Sequence, residues 1–421
     1  MLPKERLRSS QARVEQSRAS ARRRAALWCR PFMTPTAIRL SCFYAAAFTV
    51  VGVNLPFWPV WLASKGLDAT AIGVLVAVAI GIKVVGNPLV AHLADKTGER
   101  KRLMVALALF ALVAFALFAF VDGFWAILAV TALFSVAFAA IHPLGESLTM
   151  LAVHAQHLDY GRLRLWGSLS FIAAAALAGG VLAGRPAGIV LALVLGALAL
   201  TLGATAALPD MRAPKAATAR FALLDVLKDR AFVLFILAAT AVQASHSVYY
   251  AFGTLHWRGA GYSEAVIGAL WAEGVIAEIV LFVWGRAAIA AIGPVWLLVL
   301  AGLAGLVRWT VTGASDALPV LVLAQLLHAF TFGAAHLGAI HFIAHWMPPA
   351  LSASAQSVYS SLVMGLGLGL VTVAAGPLYN SFGAGAYHAM AALGLVGALL
   401  ALPLVGRWRE HQAYRQGVTG A

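Results

Sequence analysis

The stretch PDMRAPKAATARFALLDVLKDR, from Pro209 to Arg230, is the longest polar segment between the apolar tracts of this chain. Hydrophobic residues form 62% of the sequence and charged residues 11%, a composition that excludes a soluble globular domain. A membrane-crossing helix needs about 20 apolar residues, and six tracts near that length precede the polar stretch while six follow it. The predicted spans cover residues 38–62, 70–94, 103–121, 125–152, 165–184, 188–208, 231–255, 264–285, 294–312, 317–345, 354–376 and 385–406.

The polar stretch therefore divides the chain into two halves of six spans each. The apolar tracts are continuous runs rich in Ala, Leu and Gly, which favours helices over a membrane barrel with its alternating pattern. We predict an all-α polytopic membrane protein with twelve transmembrane helices in two six-helix bundles, the form expected of a transporter whose halves rock around a midplane site. The predicted parts are a basic arm (1–36), two bundles (37–208 and 231–406), a central loop (209–230) and a tail (407–421).

The net charge of +14 is concentrated in loops on one predicted side of the membrane. The lysines and arginines outside the spans lie on the side of the N-terminus, except for Lys65, Arg185 and Arg258. Because basic loops are retained in the cytoplasm, we predict that the arm, the central loop and the tail are all cytoplasmic, in a bacterial inner membrane. The same distribution argues for a lipid bilayer and against nucleic acid as the partner.

The first 32 residues carry nine lysines or arginines and two glutamates. No apolar segment typical of a signal peptide or a twin-arginine leader follows them. Several interpretations stay open: an arm attracted to anionic lipid, a disordered tail, or a start codon placed upstream of a true start at Met33. The two cysteines, Cys29 and Cys42, predict neither a disulfide framework nor a metal site.

The loop after the second span reads AHLADKTGERKR, from Ala91 to Arg102. It resembles the loop signature between spans two and three of the major facilitator superfamily. The family pattern has a glycine where Ala91 stands and a basic residue where Glu99 stands. The resemblance implies a role in conformational change for four residues of this loop, namely Asp95, Lys96, Gly98 and Arg100.

Four longer segments are similar to the 3-phenylpropionate transporter branch of that superfamily. They occur in matching order within a resemblance that runs from about residue 37 to 406. It implies the major facilitator fold and a carrier of a small organic acid. The segments are DYGRLRLWGSLSF (159–171), QASHSVYYAF (243–252), AGYSEAVIGALWAEGVIAEIVLF (260–282) and GLVRWTVTGASDALPVLVLAQLLHAFTF (305–332).

Carboxylates inside predicted spans are candidates for proton coupling. Glu273 and Glu278 stand five residues apart in span 8, about 140° apart around a helix, so they need separate explanations. The resembling branch has a glutamate at Glu278 and not at Glu273. A carboxyl group in a low-dielectric bundle can take and release a proton near neutral pH. The alternative is a permanent ion pair that holds two helices together.

Span 4 adds a third carboxylate in IHPLGES, where His142 and Glu146 are four residues apart and share a helix face. Pro143 loosens the helix between them and exposes a carbonyl group. We therefore count Glu146 with the coupling candidates and His142 with the residues that contact substrate.

Two cations lie within the spans, one in each half. Lys83 is in span 2 and Arg308 in span 9, and the resembling branch also has a basic residue at Lys83. A pair of cations facing the midplane suits an anionic substrate, since charge-assisted hydrogen bonds hold a carboxylate strongly. The alternatives are structural ion pairs and snorkelling side chains.

Other polar residues in the spans are candidates for substrate contact. Mutual hydrogen bonding between helices is as good an explanation for those of spans 4 and 7, whereas His328 and His336 are interpreted as polar groups of a cavity. His328 and His336 have counterparts in the resembling branch, and Trp271 shares a helix face with Glu278. The remaining candidates form one stripe of span 7, namely Gln243, His246 and Tyr250.

Span 10 supports one different class of function. His341 and His345 have the spacing of a metal-binding pair, which would fit a membrane-embedded metalloenzyme. A second histidine box is missing from the sequence, so we predict no metal. The glycines of MGLGLGLVTVAAG, among them Gly365 and Gly369, indicate close helix packing rather than a nucleotide site. Because no lysine follows a glycine, the sequence has no P-loop.

These features together predict a monomeric secondary transporter, without cofactor or enzymatic activity, that uses an ion gradient. The specific hypothesis is proton-coupled import of a small organic acid, aromatic in the manner of phenylpropionate. A proton symporter for an uncharged nucleoside or sugar is the alternative, because the histidine, tyrosine, glutamine and tryptophan side chains of the spans also bind hydroxyl groups.

Overall fold

The computed structural model describes residues 34–211 and 223–419. The regular structure within these ranges is helical, as predicted. Eleven helical stretches are long and apolar enough to cross a membrane. The last of them, Ser354–Ala413, holds two predicted spans joined by a tight turn at Gly383–Gly385, so the described residues form twelve spans. The predictions about the basic arm and most of the central loop lie outside the described residues.

The first half contains six spans, which we number as in the sequence. Span 2 is broken at Ile82, just before Lys83. The spans are Pro35–Ser64 (span 1), Ala69–Gly81 with Lys83–Thr97 (span 2), Arg100–Ala116 (span 3), Phe124–Gln156 (span 4), Tyr160–Leu182 (span 5) and Ile189–Ala206 (span 6).

The second half begins with the short helix Leu223–Val226 and also contains six spans. Another short helix, Gly285–Ile292, joins spans 8 and 9. The spans are Arg230–Ala244 with Ser247–Gly259 (span 7), Glu264–Val283 (span 8), Pro294–Ala314 (span 9), Leu318–Leu326 with Ala329–Ala334 and Ala335–Trp346 (span 10), Pro349–Val358 with Tyr359–Gly367 and Leu368–Phe382 (span 11) and Ala386–Thr419 (span 12).

Acidic side chains fix where several spans begin. Asp68 accepts a hydrogen bond from the backbone N–H of Ala71 (2.8 Å) at the start of span 2. Asp229 accepts two such bonds, of 2.8 and 2.9 Å, at the start of span 7. Asp159 caps span 5 in the same way. Each carboxylate satisfies N–H groups that the first helical turn leaves without partners, so these starts follow from the sequence.

Four of the spans depart from regular α-helix where the sequence predicts continuous helix. Span 7 is interrupted at Ser245 and His246, and span 2 at Ile82. Spans 10 and 11 contain π-helical turns at Ala329–Ala334 and Tyr359–Gly367. Wide turns of this kind often occur at functional sites, and here they lie beside the polar side chains described below.

Both described chain ends lie on one side of the membrane, which we call the terminus side. On the opposite side the two halves meet through glycines. A Cβ atom added at Gly73 would lie 2.9 Å from Cα of Gly376, and one added at Gly179 would lie 3.2 Å from Cα of Gly268. Span 2 therefore packs closely on span 11, and span 5 on span 8, which closes the opposite side.

Candidate functional site

A cavity of about 1410 Å³ lies between the two halves. Its wall reaches the terminus-side ends of spans 2 and 4 at Lys96 and Glu146, while the glycine contacts close the opposite side. The molecule is therefore in a conformation whose cavity faces the terminus side. The polar lining residues are Asn54, Lys83, Asn87, His92, Lys96, Thr131, Ser135, His142, Glu146, Arg164, Tyr250, Ser357, Ser360 and Ser361.

Lys83 is a basic residue of the cavity wall that has no acidic partner among the described residues. It is the first residue after the break in span 2, and its side chain is exposed in the cavity. It makes no ion pair or hydrogen bond with any residue that the structure describes. Asn87 lies one turn further along the same wall. A cation without a partner inside a membrane-spanning bundle attracts an anionic ligand.

Aromatic rings form another part of the cavity wall. The ring of His142 lies edge-on to Phe48, with centroids 4.9 Å apart, and to Phe138, with centroids 5.4 Å apart. Phe134 stacks on Phe138 at 5.3 Å, and all four residues line the cavity. Because aromatic rings pack favourably edge-to-face or in offset stacks, this wall suits a ligand with an aromatic ring.

Arg164 and Glu146 form an ion pair on the cavity wall. Nε of Arg164 lies 3.9 Å from Oε1 of Glu146, and the hydroxyl of Tyr160 donates to the same oxygen at 3.3 Å. The guanidinium group lies 4.0 Å from the ring centroid of Phe48. Glu146, a predicted coupling residue, therefore has a partner within its own half.

Arg164 was not predicted to be a cavity residue, because predicted span 5 begins at residue 165 and leaves this arginine in the preceding loop. The span begins at Tyr160 instead, so Arg164 lies in its first two turns and lines the cavity. Asp159 was the available signal, since an aspartate before an apolar run is a typical helix cap.

Arg308 lies inside the second half, where its side chain is buried. It donates hydrogen bonds to Nδ1 of His328 (3.0 Å), to the hydroxyl of Thr331 (2.9 Å) and to the carbonyl oxygen of the Gln325 side chain. Among the described residues no carboxylate pairs with it directly. Neutral acceptors therefore satisfy this cation, and it does not line the cavity.

Two ring faces complete the surroundings of Arg308. Its guanidinium carbon lies 4.4 Å from the ring centroid of Trp309 and 4.7 Å from that of Tyr249. Trp271 stacks on Tyr249 at 4.4 Å. Cation–π contacts in a desolvated site are worth about 2 kcal/mol, so the rings help to retain the charge in the membrane.

His328 connects Arg308 to Glu278. Because Arg308 always donates, Nδ1 of His328 accepts, and a neutral ring then carries its hydrogen on Nε2. Nε2 lies 3.9 Å from Oε2 of Glu278, within ion-pair range and beyond direct hydrogen bonding. Gly333, in the π-helical turn, makes room for Glu278, since a Cβ there would lie 3.3 Å from its Cγ.

The remaining candidates of the second half lie in different places. Tyr250 lines the cavity. His246 is buried between the carbonyl of Gln243 (3.1 Å) and the hydroxyl of Thr331 (3.1 Å). Trp271 donates from Nε1 to the hydroxyl of a neighbouring threonine at 2.9 Å. Only the first of these is positioned, in this conformation, to contact a ligand in the cavity.

Two more candidates lie near the network without joining it. His336 stacks over Phe332 with ring centroids 6.1 Å apart. Glu273 is half-buried in span 8 and makes no ion pair with the described residues. Glu278, and not Glu273, therefore lies beside the hydrogen-bonded network of Arg308.

The loop between spans 2 and 3 ends one helix and begins the next. Gly98 adopts a left-handed conformation (φ 71°) and ends span 2. Arg100 begins span 3 and is buried, and Lys96 lines the terminus-side end of the cavity. The side chain of Asp95 lies outside the described residues.

The histidine pair of span 10 is satisfied by backbone. Nδ1 of His341 lies 3.1 Å from the carbonyl of Leu337, and Nδ1 of His345 lies 2.9 Å from the carbonyl of His341. Residues 34–211 and 223–419 contain no group of three or more histidine, cysteine or acidic side chains placed to hold a metal.

Comparison with known proteins gives a family match over most of the chain. The model of the MFS_1 like family matches residues 37–390. The probable 3-phenylpropionic acid transporter of Escherichia coli (strain K12) is 32% identical over 367 residues, which cover 85% of this chain and 94% of the relative. The maltose permease of Geobacillus stearothermophilus is 29% identical over 380 residues, 87% of this chain and 94% of the relative.

A solved structure of the nucleoside transporter NupG is similar in fold. Its TM-score is 0.74 at 17% sequence identity, with 90% of this chain and 99% of that chain covered. A bacterial homologue of the lysosomal transporter Spinster, solved in an inward-facing and occupied conformation, gives a TM-score of 0.68 at 13% identity, with coverages of 90% and 98%. The predicted fold and the resemblance to the 3-phenylpropionate transporter branch are confirmed.

Proposed function

Since this chain belongs to the MFS_1 like family, of the major facilitator superfamily, we propose that it imports a small aromatic carboxylic acid together with protons. Membership makes it a multi-pass membrane transport protein rather than an enzyme. The proposal concerns the substrate, the coupling ion and the direction of transport. It places the protein in a bacterial inner membrane with the terminus side in the cytoplasm.

The observation that carries the proposal is Lys83, a cation without a partner in a cavity that also has an aromatic wall. A carboxylate beside Lys83 gains a charge-assisted hydrogen bond that the protein alone does not supply. The rings of Phe48 and Phe138 line the same cavity and can pack against an aryl group. Charge and rings together select an aromatic anion over a neutral polyol.

The E. coli relative supports the same substrate class. Its name refers to 3-phenylpropionic acid, a carboxylic acid on a short chain that ends in a phenyl ring. Maltose and nucleosides, which the other relatives' names mention, are neutral and leave Lys83 without an anionic partner. The neutral-substrate alternative therefore has less support from the cavity.

The proposed proton site lies apart from Lys83. Glu278 is a carboxyl group with 17% of its side chain exposed, and it faces a histidine whose other nitrogen is held by Arg308. Because the Arg308 network belongs to the second half and Lys83 to the first, protonation and substrate binding act on different halves. Rocking of the halves can then couple the two events.

Replacing Lys83 tests the substrate class. We expect Lys83→Met to weaken binding of 3-phenylpropanoate to the purified protein by about 10-fold to 100-fold, as for a lost charge-assisted bond. Binding of the neutral amide, 3-phenylpropanamide, should change by less than about 3-fold, since the amide carries no charge for Lys83. Isothermal titration in lipid nanodiscs measures both affinities.

Two variants control this experiment. Lys83→Arg keeps the charge and should retain most of the binding of the acid. Lys228→Met removes an exposed lysine that pairs with Asp225 away from the cavity, and should change neither affinity. Equal losses for acid and amide in Lys83→Met, or saturable binding of a nucleoside or maltose in place of the acid, would contradict the proposal.

A further inference from the structure

Three buried polar atoms on the cavity wall have no hydrogen-bond partner among the described residues. They are Oδ1 of Asn87, Oγ1 of Thr131 and Nε2 of His142. All belong to spans 2 and 4 of the first half. A buried polar atom without a partner is destabilising and is uncommon in folded proteins. Such atoms on a ligand cavity indicate hydrogen bonds that a ligand completes.

His142 lacks the local backbone partner that several other span histidines have. Nδ1 of His154, His341 and His345 each lies within hydrogen-bond distance of a backbone carbonyl four residues earlier. Neither nitrogen of His142 makes such a bond. The helix therefore does not use the hydrogen-bonding capacity of this imidazole.

The surroundings of His142 show which part of a ligand it would meet. Its ring lies edge-on to both Phe48 and Phe138, at 77° and 90°. Both phenylalanines line the cavity and are only partly buried, so a ligand that packs against them lies beside His142. His142 thus lies where an aryl group packs, while the cation for the carboxylate is Lys83 on span 2.

We propose that His142 recognises a hydroxyl group on the ring of the transported acid, so that the cavity prefers hydroxyaryl carboxylic acids over the unsubstituted acids. This inference rests on the proposed function. A hydroxyl group both donates and accepts, so it satisfies Nε2 in either neutral tautomer of the imidazole. A methyl group of similar size does neither and leaves the nitrogen unpaired, which is the basis of discrimination.

The test compares affinities for three acids in the purified full-length protein. They are 3-phenylpropanoate and its ring-hydroxylated and ring-methylated analogues, with the substituent placed at each ring position in turn. We expect the best hydroxylated acid to bind about 3-fold to 10-fold more tightly than the parent, the effect of one neutral hydrogen bond. The methylated acid at the same position should bind no better than the parent.

Variants of His142 assign the preference to this side chain. His142→Phe should abolish the preference, so that the hydroxylated and parent acids bind this variant with equal affinity, because a phenyl ring packs but offers no hydrogen-bonding nitrogen. His142→Gln, which restores a hydrogen-bonding group, should recover part of the preference. His154→Phe makes the same substitution at an exposed position of the same span and should behave as wild type.

The outcomes separate this inference from the proposed function. Equal affinity of wild type for all three acids, with normal binding of the parent, would overturn the role of His142 alone. A preference that persists in His142→Phe would do the same. Loss of parent-acid binding in both His142 variants would make the residue structural and overturn the inference. If no acid binds the wild type, the proposed function fails and this inference fails with it.

Discussion

Arg308 is a fixed charge that the membrane interior retains without a direct acidic partner. Its donors are used by His328, Thr331 and Gln325, and ring faces cover it. Since a guanidinium group keeps its protons, the bond to His328 orients that imidazole with Nε2 towards Glu278. Removal of Glu278's charge therefore leaves every direct hydrogen bond of Arg308 in place.

This geometry gives a sharp expectation for Glu278→Gln, which mimics the protonated carboxyl group. We expect uphill, proton-driven uptake to fall by at least about 10-fold, because the loaded carrier cannot release a proton and return empty. Exchange of labelled for unlabelled substrate needs no proton release and should persist. Both activities are measured in the same proteoliposomes and normalised to folded protein.

Glu273→Gln is the matched control on the same helix. It makes no ion pair with the described residues, so both uphill uptake and exchange should remain close to wild type. If Glu278 only anchors the helices, its substitution strands a buried positive network and should reduce folding and exchange together. Intact uphill uptake by Glu278→Gln would rule out the proton-coupling role.

At this scale the sequence indicates which residues are unusual but not which of them meet. Glu278, Arg308 and His328 are recognisable because polar residues in apolar spans are costly. Whether these three side chains meet depends on how spans 8, 9 and 10 are rotated about their axes. Local sequence patterns do not predict that rotation. Arg164 was missed for a simpler reason, a helix start placed five residues too late.

At the scale of helices, length and hydropathy predict where the spans lie. They do not predict where a span departs from regular α-helix. The π-helical turns at Ala329–Ala334 and Tyr359–Gly367 lie within apolar spans and contain no proline that would mark them, so hydropathy cannot distinguish them. Close packing was predicted at Gly365 and Gly369, and in the structure both glycines face span 2. A Cβ added at Gly369 would lie 3.5 Å from the carbonyl of Ala77, in span 2 of the other half.

The glycine contacts on the opposite side provide a test of how the halves close. At Gly179 a Cβ would lie 3.2 Å from Cα of Gly268, whereas one at the neighbouring Gly180 meets nothing within 4 Å. We expect Gly179→Leu to disfavour closure of the opposite side and to shift the population away from the conformation described here. Gly180→Leu carries the same cost in helix propensity and should have no such effect.

Labelling of a cavity cysteine measures this shift. In a background with Cys29 and Cys42 replaced by serine, Ser360→Cys places a thiol on the cavity wall. A membrane-impermeant thiol reagent applied on the opposite side should label it several-fold faster in Gly179→Leu than in Gly180→Leu. Equal labelling in the two variants would show that this contact does not control closure.

At the scale of the molecule, twelve spans and a central division are predictable because a bilayer imposes length and apolarity on every crossing. The conformation is not predictable from the same features, since a carrier uses one sequence for at least two arrangements of its halves. That the cavity faces the terminus side depends on which glycine contacts are closed, and this is visible only in three dimensions.

The orientation of the whole molecule then decides where the cavity opens. Lys96, Arg102 and Arg407 lie on the terminus side, whereas Lys65 and Arg258 lie on the opposite side. Because positive loops stay in the cytoplasm, we expect a reporter fused near Lys215, in the central loop, to be inaccessible from outside intact cells. In the same orientation Ser360→Cys should react with an impermeant thiol reagent in inside-out vesicles and resist it in right-side-out vesicles. A reporter near Lys215 that is accessible from outside, together with labelling of Ser360→Cys in right-side-out vesicles, would contradict this topology. The cavity described here would then open away from the cytoplasm.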